Sequence, residues 1–163
     1  MKWATADWHL NHEEIIHYCN RPFNRLHRMN STLIQRYNKT IEDGDDVYFL
    51  GDLTIMGPSH KGSLENFMRA IPKGNKYLIL GNHDKFDPFV YVELGFRSVH
   101  TYLQVEEFHM THDPAVCQVA NVPWLCGHIH TLFKRQKNVV NVGVDVWEFF
   151  PVSFDELRKE FQK

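Results

Sequence analysis

Cysteine is scarce and unpaired in this sequence. There are three, Cys19, Cys117 and Cys126, among 163 residues, with no Cys-x-x-Cys spacing. That excludes a disulfide framework and leaves three reduced thiols as the expectation. Long apolar runs are also missing. No stretch reaches the roughly 18 residues of a membrane span, and Met1-Lys2 opens on a short apolar run with no signal-like segment. The chain therefore reads as cytoplasmic. Charge of one sign is missing too: 18 Lys and Arg against 20 Asp and Glu give a net charge of −2. Such a balance offers no general attraction to nucleic acid or to an anionic membrane. There is no repeat, no low-complexity tract and no linker, so residues 1–163 read as a single domain.

What is present is an ordinary globular composition, 43% hydrophobic and 23% charged, with 12 Phe, 6 Tyr and 4 Trp to fill a core. Apolar runs of strand length recur at Trp3-Ala6, Val47-Leu50, Tyr77-Leu80, Tyr102-Val105, Phe108-Thr111, Trp124-Cys126 and Val139-Val142, the last extendable through Val144 to Trp147. Several are continuous rather than alternating, as in strands covered on both faces. Helical patterns lie between them. Asn11 is placed to cap a helix through about Asn20. Residues 30–42 carry Leu33, Ile34, Tyr37 and Ile41 at helical spacing; Ser63 is placed to cap a third helix; Pro88 opens a fourth, stopped by Gly95. Ser153-Phe154-Asp155-Glu156 forms a capping box for a last helix. Strands alternate with helices early and cluster late, which predicts an α/β sandwich with mixed sheets.

Five polar clusters stand at the ends of apolar runs: Asp7-Trp8-His9, Gly51-Asp52, Gly81-Asn82-His83-Asp84, His112 and Gly127-His128-Ile129-His130. Taken singly, each has a bland reading as a surface turn, a helix cap or a pair of half-buried histidines. Together they are rich in the carboxylate, amide and imidazole groups that bind divalent cations. Two residues apart in an extended chain, Asp7 and His9 face the same way and can converge on one ion; so can His128 and His130 on a pair. The carboxylate of Asp52 has enough lone pairs to bridge two ions. His83 can transfer a proton, and Asp84 can fix its tautomer. His112 is preferred over its rival His109 because it sits at the exit of its run. In open α/β sheets, ligands bind beyond the carboxyl ends of strands, where all five clusters fall.

In these five blocks, in this order from residue 7 to residue 130, the chain resembles the calcineurin-like metallophosphoesterases: Asp-x-His, Gly-Asp, Gly-Asn-His-Asp, His and Gly-His-x-His. The resemblance implies a four-layer α-β-β-α sandwich of two mixed sheets flanked by helices. It implies one ion held by Asp7, His9, Asp52 and His130, a second held by Asp52, Asn82, His112 and His128, and catalysis by His83 with Asp84 behind it. The Asp-Arg-Gly signature of the family's serine/threonine phosphatases is absent: Asp52 is followed by Leu53-Thr54-Ile55-Met56.

The expected activity is hydrolysis of phosphate esters, diesters of small or nucleotide-like substrates first, by a hydroxide bridging two metal ions. The alternatives are a phosphomonoesterase and a non-catalytic metal-binding scaffold of the same fold. Imidazole and carboxylate without thiolate suit Mn²⁺ first, with Fe²⁺, Zn²⁺, Ni²⁺ and Mg²⁺ as options. The expected partner is a small phosphate ester; no membrane, nucleic-acid or obligate protein partner is indicated. His12, three residues past His9, and Arg21, in the basic stretch Arg21-Pro22-Phe23, are the candidates for substrate contact. Lys134-Arg135-Gln136-Lys137 reads as a hairpin turn near the site mouth, and Asn141 and Asp145 as structural residues only.

Overall fold

The structure is a computed structural model that describes residues 1–117, 119 and 121–162. Strand β1 (Lys2–Thr5) leads through a loop and a short helix α1 (Glu14–Tyr18) to the long helix α2 (Leu26–Thr40). Then come β2 (Asp46–Leu50), α3 (Lys61–Arg69), β3 (Asn75–Ile79), α4 (Pro88–Glu93) and β4 (Phe96–His100). The second half holds β5 (Leu103–Val105), β6 (Phe108–Met110), β7 (Trp124–Cys126), β8 (Arg135–Gln136), β9 (Val139–Asn141) and β10 (Val152–Ser153), and ends in α5 (Phe154–Gln162). Two mixed five-stranded sheets result, in the orders β10-β1-β2-β3-β4 and β5-β6-β7-β9-β8. β1, β2, β3 and β4 run parallel in the first; β6, β7 and β9 run parallel in the second.

The pleat of β2 shows why two sheets flanked by helices form. Val47 and Phe49 point into a core shared with α2, α3 and α4, while Tyr48 and Leu50 point into a second core between the sheets. A strand buried on both faces needs the continuous apolar run that this one has. Met29, Leu33 and Tyr37 form the inner stripe of α2, each fully buried. Phe154 and Leu157 anchor α5 on the inter-sheet core. No helix among the described residues is long and apolar enough to cross a membrane.

Several boundaries differ from the sequence expectation. α2 begins at Leu26, because Met29 continues the buried stripe one turn earlier. Asn11 does not cap α1: it takes a left-handed conformation (φ 62°), and its side chain pairs with Asn30 and Met56. α3 starts two residues before Ser63, fed by a 3-10 turn over Pro58–His60. β9 stops at Asn141, and Val144–Val146 is a 3-10 turn rather than a continued strand. β4, β8 and β10 lie at sheet edges, where polar or two-residue segments suffice, so their hydrophobic signal is weak. α4 follows the expected pattern, with Asp87 accepting a hydrogen bond from the Phe89 amide (2.8 Å) ahead of Pro88. Ser153 Oγ likewise accepts from the Glu156 amide (3.1 Å).

Candidate metal centre

The carboxyl ends of β1, β2, β3, β6 and β7 meet at one edge of the sandwich. Beyond β1, Ala6 pairs in parallel with Gly143, which ties the two sheets together at this edge. The loops there bond to one another through their backbones: Asp7 N–H to Gly51 O (3.0 Å), His9 N–H to Asp52 O (2.9 Å) and Gly127 N–H to His112 O (3.0 Å). Trp8 points the other way, fully buried against Tyr37 and Phe49, and pins the first loop to the core.

Five of these residues sit in the left-handed region of backbone space: Asp7 (φ 57°), His9 (51°), Asp52 (53°), His128 (72°) and His130 (46°). For non-glycine residues this is strained, on the order of 1–3 kcal/mol each, and persists only where the surroundings impose it. Asp7 and His9 therefore do not converge by strand alternation, as the spacing suggested, and nor do His128 and His130. Tight left-handed turns aim them.

Two groups of side chains come together. One ligand atom from each of Asp7, His9 and His130 lies within 4.8 Å of the others, and the same holds for Asp52, His112 and His128. Asn82 joins the second group: its Oδ1 is 3.1 Å from His112 Nε2 and 3.0 Å from His128 Nδ1. Asp52 links the groups, with Oδ2 3.5 Å from His9 Nε2 and 3.4 Å from His112 Nε2.

These side chains fit divalent cations on three counts. Donor atoms about 2.1 Å from an ion, at tetrahedral or octahedral angles, stand about 3.0–3.4 Å from one another, close to the separations found here. His9 Nε2 is buried without a hydrogen-bond partner, an orphan that a cation would satisfy. The imidazoles are also turned to present a free nitrogen. His112 Nδ1 donates to Leu50 O (2.7 Å) and His130 Nδ1 contacts Asp145 Oδ2 (3.0 Å), which leaves Nε2 of each for an ion.

Electrostatics agree. Asp7 is fully buried, and burial raises its carboxyl pKa although His112 and His130 stand nearby. Burial would also raise Asp52, but the hydrogen bond and charge of His112, with the His83 amide, hold it at about 2. Burial, reinforced by the neighbouring His130, Arg21 and His12 and opposed by Asp52, drives His9 down to about 2. Burial opposes the charged form of His112 and His130 as well, yet Asp52 and Asp7 lift the first to about 9, and Asp145 lifts the second to about 10. The carboxylates thus favour positive charge on His112 and His130, while His9 stays neutral.

The Gly81–Asp84 turn completes the centre. A Cβ on Gly81 would lie 2.2 Å from Asp52 Oδ1, so only glycine lets the two loops touch. His83 donates its backbone N–H to Asp52 Oδ1 (2.9 Å). Its imidazole is 5.4 Å from the His9 ring, partly exposed, and makes no hydrogen bond among the described residues.

Against this geometry, the calcineurin-like phosphoesterase family matches residues 3–158. The chain belongs to the calcineurin-like phosphoesterase family. An uncharacterized protein of Methanocaldococcus jannaschii, MJ1445, is 34% identical over 99% of this chain and 91% of its own length. Among solved structures, the protein of unknown function AQ665 from Aquifex aeolicus superposes with a TM-score of 0.75 at 21% identity, over 98% of both chains. Pseudomonas putida nuclease MPE gives 0.54 at 20% identity, over 79% of this chain and 61% of that one. The solved structures share the fold; family membership makes this chain a metal-dependent phosphoesterase.

Within that family fold, some residues stand where sequence reasoning did not put them. Asp84 does not orient the His83 imidazole. Its carboxylate accepts three backbone amides, from Asp52 (2.9 Å), Gly81 (2.9 Å) and Leu53 (3.1 Å), and burial pushes its pKa up to about 6. It pins one ligand loop to the other. Arg21 is buried and does not face substrate: it forks onto Asp145 (2.8 and 3.0 Å) and donates to the carbonyls of Asp7 (2.7 Å) and Trp8 (3.1 Å). Asp145, read as structural only, supports His130 directly. Its signal in the sequence was an acid inside the apolar run Val142–Trp147. Cys19 lies beside His130 and Asp145, but Arg21 already takes both oxygens of Asp145. Asn141 holds the loop, donating to His130 O (2.7 Å) and Phe133 O (3.0 Å). Lys134 packs on Trp147 and pairs with Glu160, and Arg135 begins β8, so the basic stretch serves α5. His109 contacts the Tyr102 hydroxyl (2.7 Å) and the Trp124 ring, away from the ligand loops.

Proposed function

We propose that this phosphoesterase works with two divalent ions and hydrolyses phosphodiesters of small or nucleotide-like substrates. The observation that carries the two-ion reading is the position of Asp52 Oδ2, nearly equidistant from His9 Nε2 and His112 Nε2. One ion would lie among Asp7, His9, Asp52 and His130, the other among Asp52, Asn82, His112 and His128. When bound, such a pair supplies an activated water at neutral pH and neutralises charge on the phosphoryl oxygens. The donor set, imidazole, carboxylate and amide, suits Mn²⁺ first, with Fe²⁺, Zn²⁺, Ni²⁺ or Mg²⁺ as alternatives.

The protein's own part is positioning and proton delivery. Asp52 and Asn82 are fixed by the touching loops, so the phosphoryl group meets a preorganised pocket. His83, at the rim with a free imidazole, donates a proton to the leaving oxygen. A diester is favoured over a monoester by charge. A monoester dianion calls for an extra cation in the pocket, and Arg21, the guanidinium that reaches the ligand loops, is committed to Asp145 and two carbonyls. The exposed His128 leaves the pocket open on one side for a second ester group. The likeness to a nuclease is one of fold, and the net charge of −2 offers no general attraction to a long polyanion.

The test is metal-stripped protein given back Mn²⁺ and offered bis-p-nitrophenyl phosphate beside p-nitrophenyl phosphate. Metal-dependent turnover with a higher kcat/KM on the diester is expected. Equal or higher kcat/KM on the monoester would overturn the diester reading; a protein that binds Mn²⁺ but cleaves neither would be a scaffold.

A further inference from the structure

The three imidazoles that converge on buried carboxylates each need their second nitrogen satisfied. Leu50 O does this for His112, and Asp145 does it for His130. The remaining case is His9. Its Nδ1 stands 3.0 Å from Nδ1 of His12, so one of these two nitrogens carries the proton and the other accepts it. His9 Nε2 faces Asp52 Oδ2 and is otherwise unpartnered. An ion there requires the lone pair on Nε2, and that places the His9 proton on Nδ1, pointing at His12. His12 must then offer Nδ1 as acceptor and keep its own proton on Nε2. Glu14 Oε2 lies 3.7 Å from that Nε2 and favours this arrangement.

We infer that His12 is a positioning residue: it accepts the Nδ1 proton of His9 and so fixes the tautomer and ring orientation with which His9 meets an ion. This rests on the two-ion reading above. It replaces the expectation that His12 touches substrate. It also explains why a half-buried histidine is kept against the His9 ring (5.1 Å between centroids) rather than turned into solvent.

The substitution that separates the roles is His12→Asn against His12→Phe. Asparagine carries an acceptor oxygen on Cγ where Nδ1 stood; phenylalanine keeps the ring's bulk and has no acceptor. His12→Leu serves in its place if the Phe variant does not fold, judged by melting in EDTA. Each protein is titrated with Mn²⁺ by calorimetry. His12→Phe is expected to weaken one of two binding steps by about 10–100-fold, leaving the other unchanged, and His12→Asn to stay near wild type. With Zn²⁺ bound, ¹⁵N NMR of His9 should show a proton on Nδ1 in wild type. Unchanged Mn²⁺ binding in His12→Phe, or a raised KM as its only effect, overturns the assignment. Wild-type protein that takes up no Mn²⁺ overturns the two-ion reading instead, and the inference with it.

Discussion

His130 and Asp145 are joined at 3.0 Å, Nδ1 to Oδ2, and the guanidinium of Arg21 grips the same carboxylate from the other side. Arg21 in turn holds the carbonyls of Asp7 and Trp8. One buried ion pair thus ties the first ligand loop to the last. Asp145→Asn leaves the Arg21 charge without its partner. We expect a loss of about 3–5 kcal/mol in unfolding free energy and about 10–100-fold weaker Mn²⁺ binding. Urea unfolding and metal titration measure the two. Full stability in the variant would mean the pair is not the tie described.

Asp84 offers a second test, because its three amide bonds cross between loops. An asparagine has one acceptor oxygen and turns an N–H₂ toward an amide. Asp84→Asn is expected to cost roughly 1.5–3 kcal/mol for each charged hydrogen bond lost. The rate of fully metal-loaded variant should change little. A large drop in kcat at full loading and unchanged stability would restore the view that Asp84 acts through His83.

These two residues show what was legible in the sequence and what was not. The ligand clusters could be read because glycine, acid, amide and imidazole stand at the ends of apolar runs. The fold class followed from the order of those runs. The supports could not be read. Arg21 and Asp145 are 124 positions apart, and nothing local marks Arg21 as buried rather than a solvated loop residue. The left-handed turns at Asp7, His9 and Asp52 are imposed by neighbouring loops, so local spacing pointed to strand alternation instead. β4 and β10 escaped notice because edge strands need little apolar surface.

Acidity gives a third prediction. His112 and His130 have folded pKa values near 9 and 10, above the ordinary 6.5. A raised folded value stabilises the metal-stripped protein fully below about pH 6.5, and that contribution disappears as pH rises through 9 and 10. The melting temperature of stripped protein should therefore fall between about pH 7 and pH 10. Over the same window Mn²⁺ binding should strengthen, because ion and proton compete for the same nitrogens. Calorimetry at pH 7 in buffers of different ionisation enthalpy should report proton release on metal uptake. No release would contradict the assignment of these imidazoles to an ion.

His83 and Asp52 should behave differently under substitution. His83→Ala removes a free imidazole that no described residue contacts by hydrogen bond, so metal content should hold while turnover falls by about 10²–10⁴-fold. Asp52→Asn should lower both turnover and bound metal. Elemental analysis beside steady-state rates separates the two. Wild-type turnover in His83→Ala would remove it from the reaction.

The most direct test of the account is anomalous scattering from crystals grown with Mn²⁺. Two peaks about 3.5–4 Å apart, with Asp52 between them, His9 and His130 on one side and His112 and His128 on the other, are predicted. A single peak, or peaks away from Asp52, would contradict it.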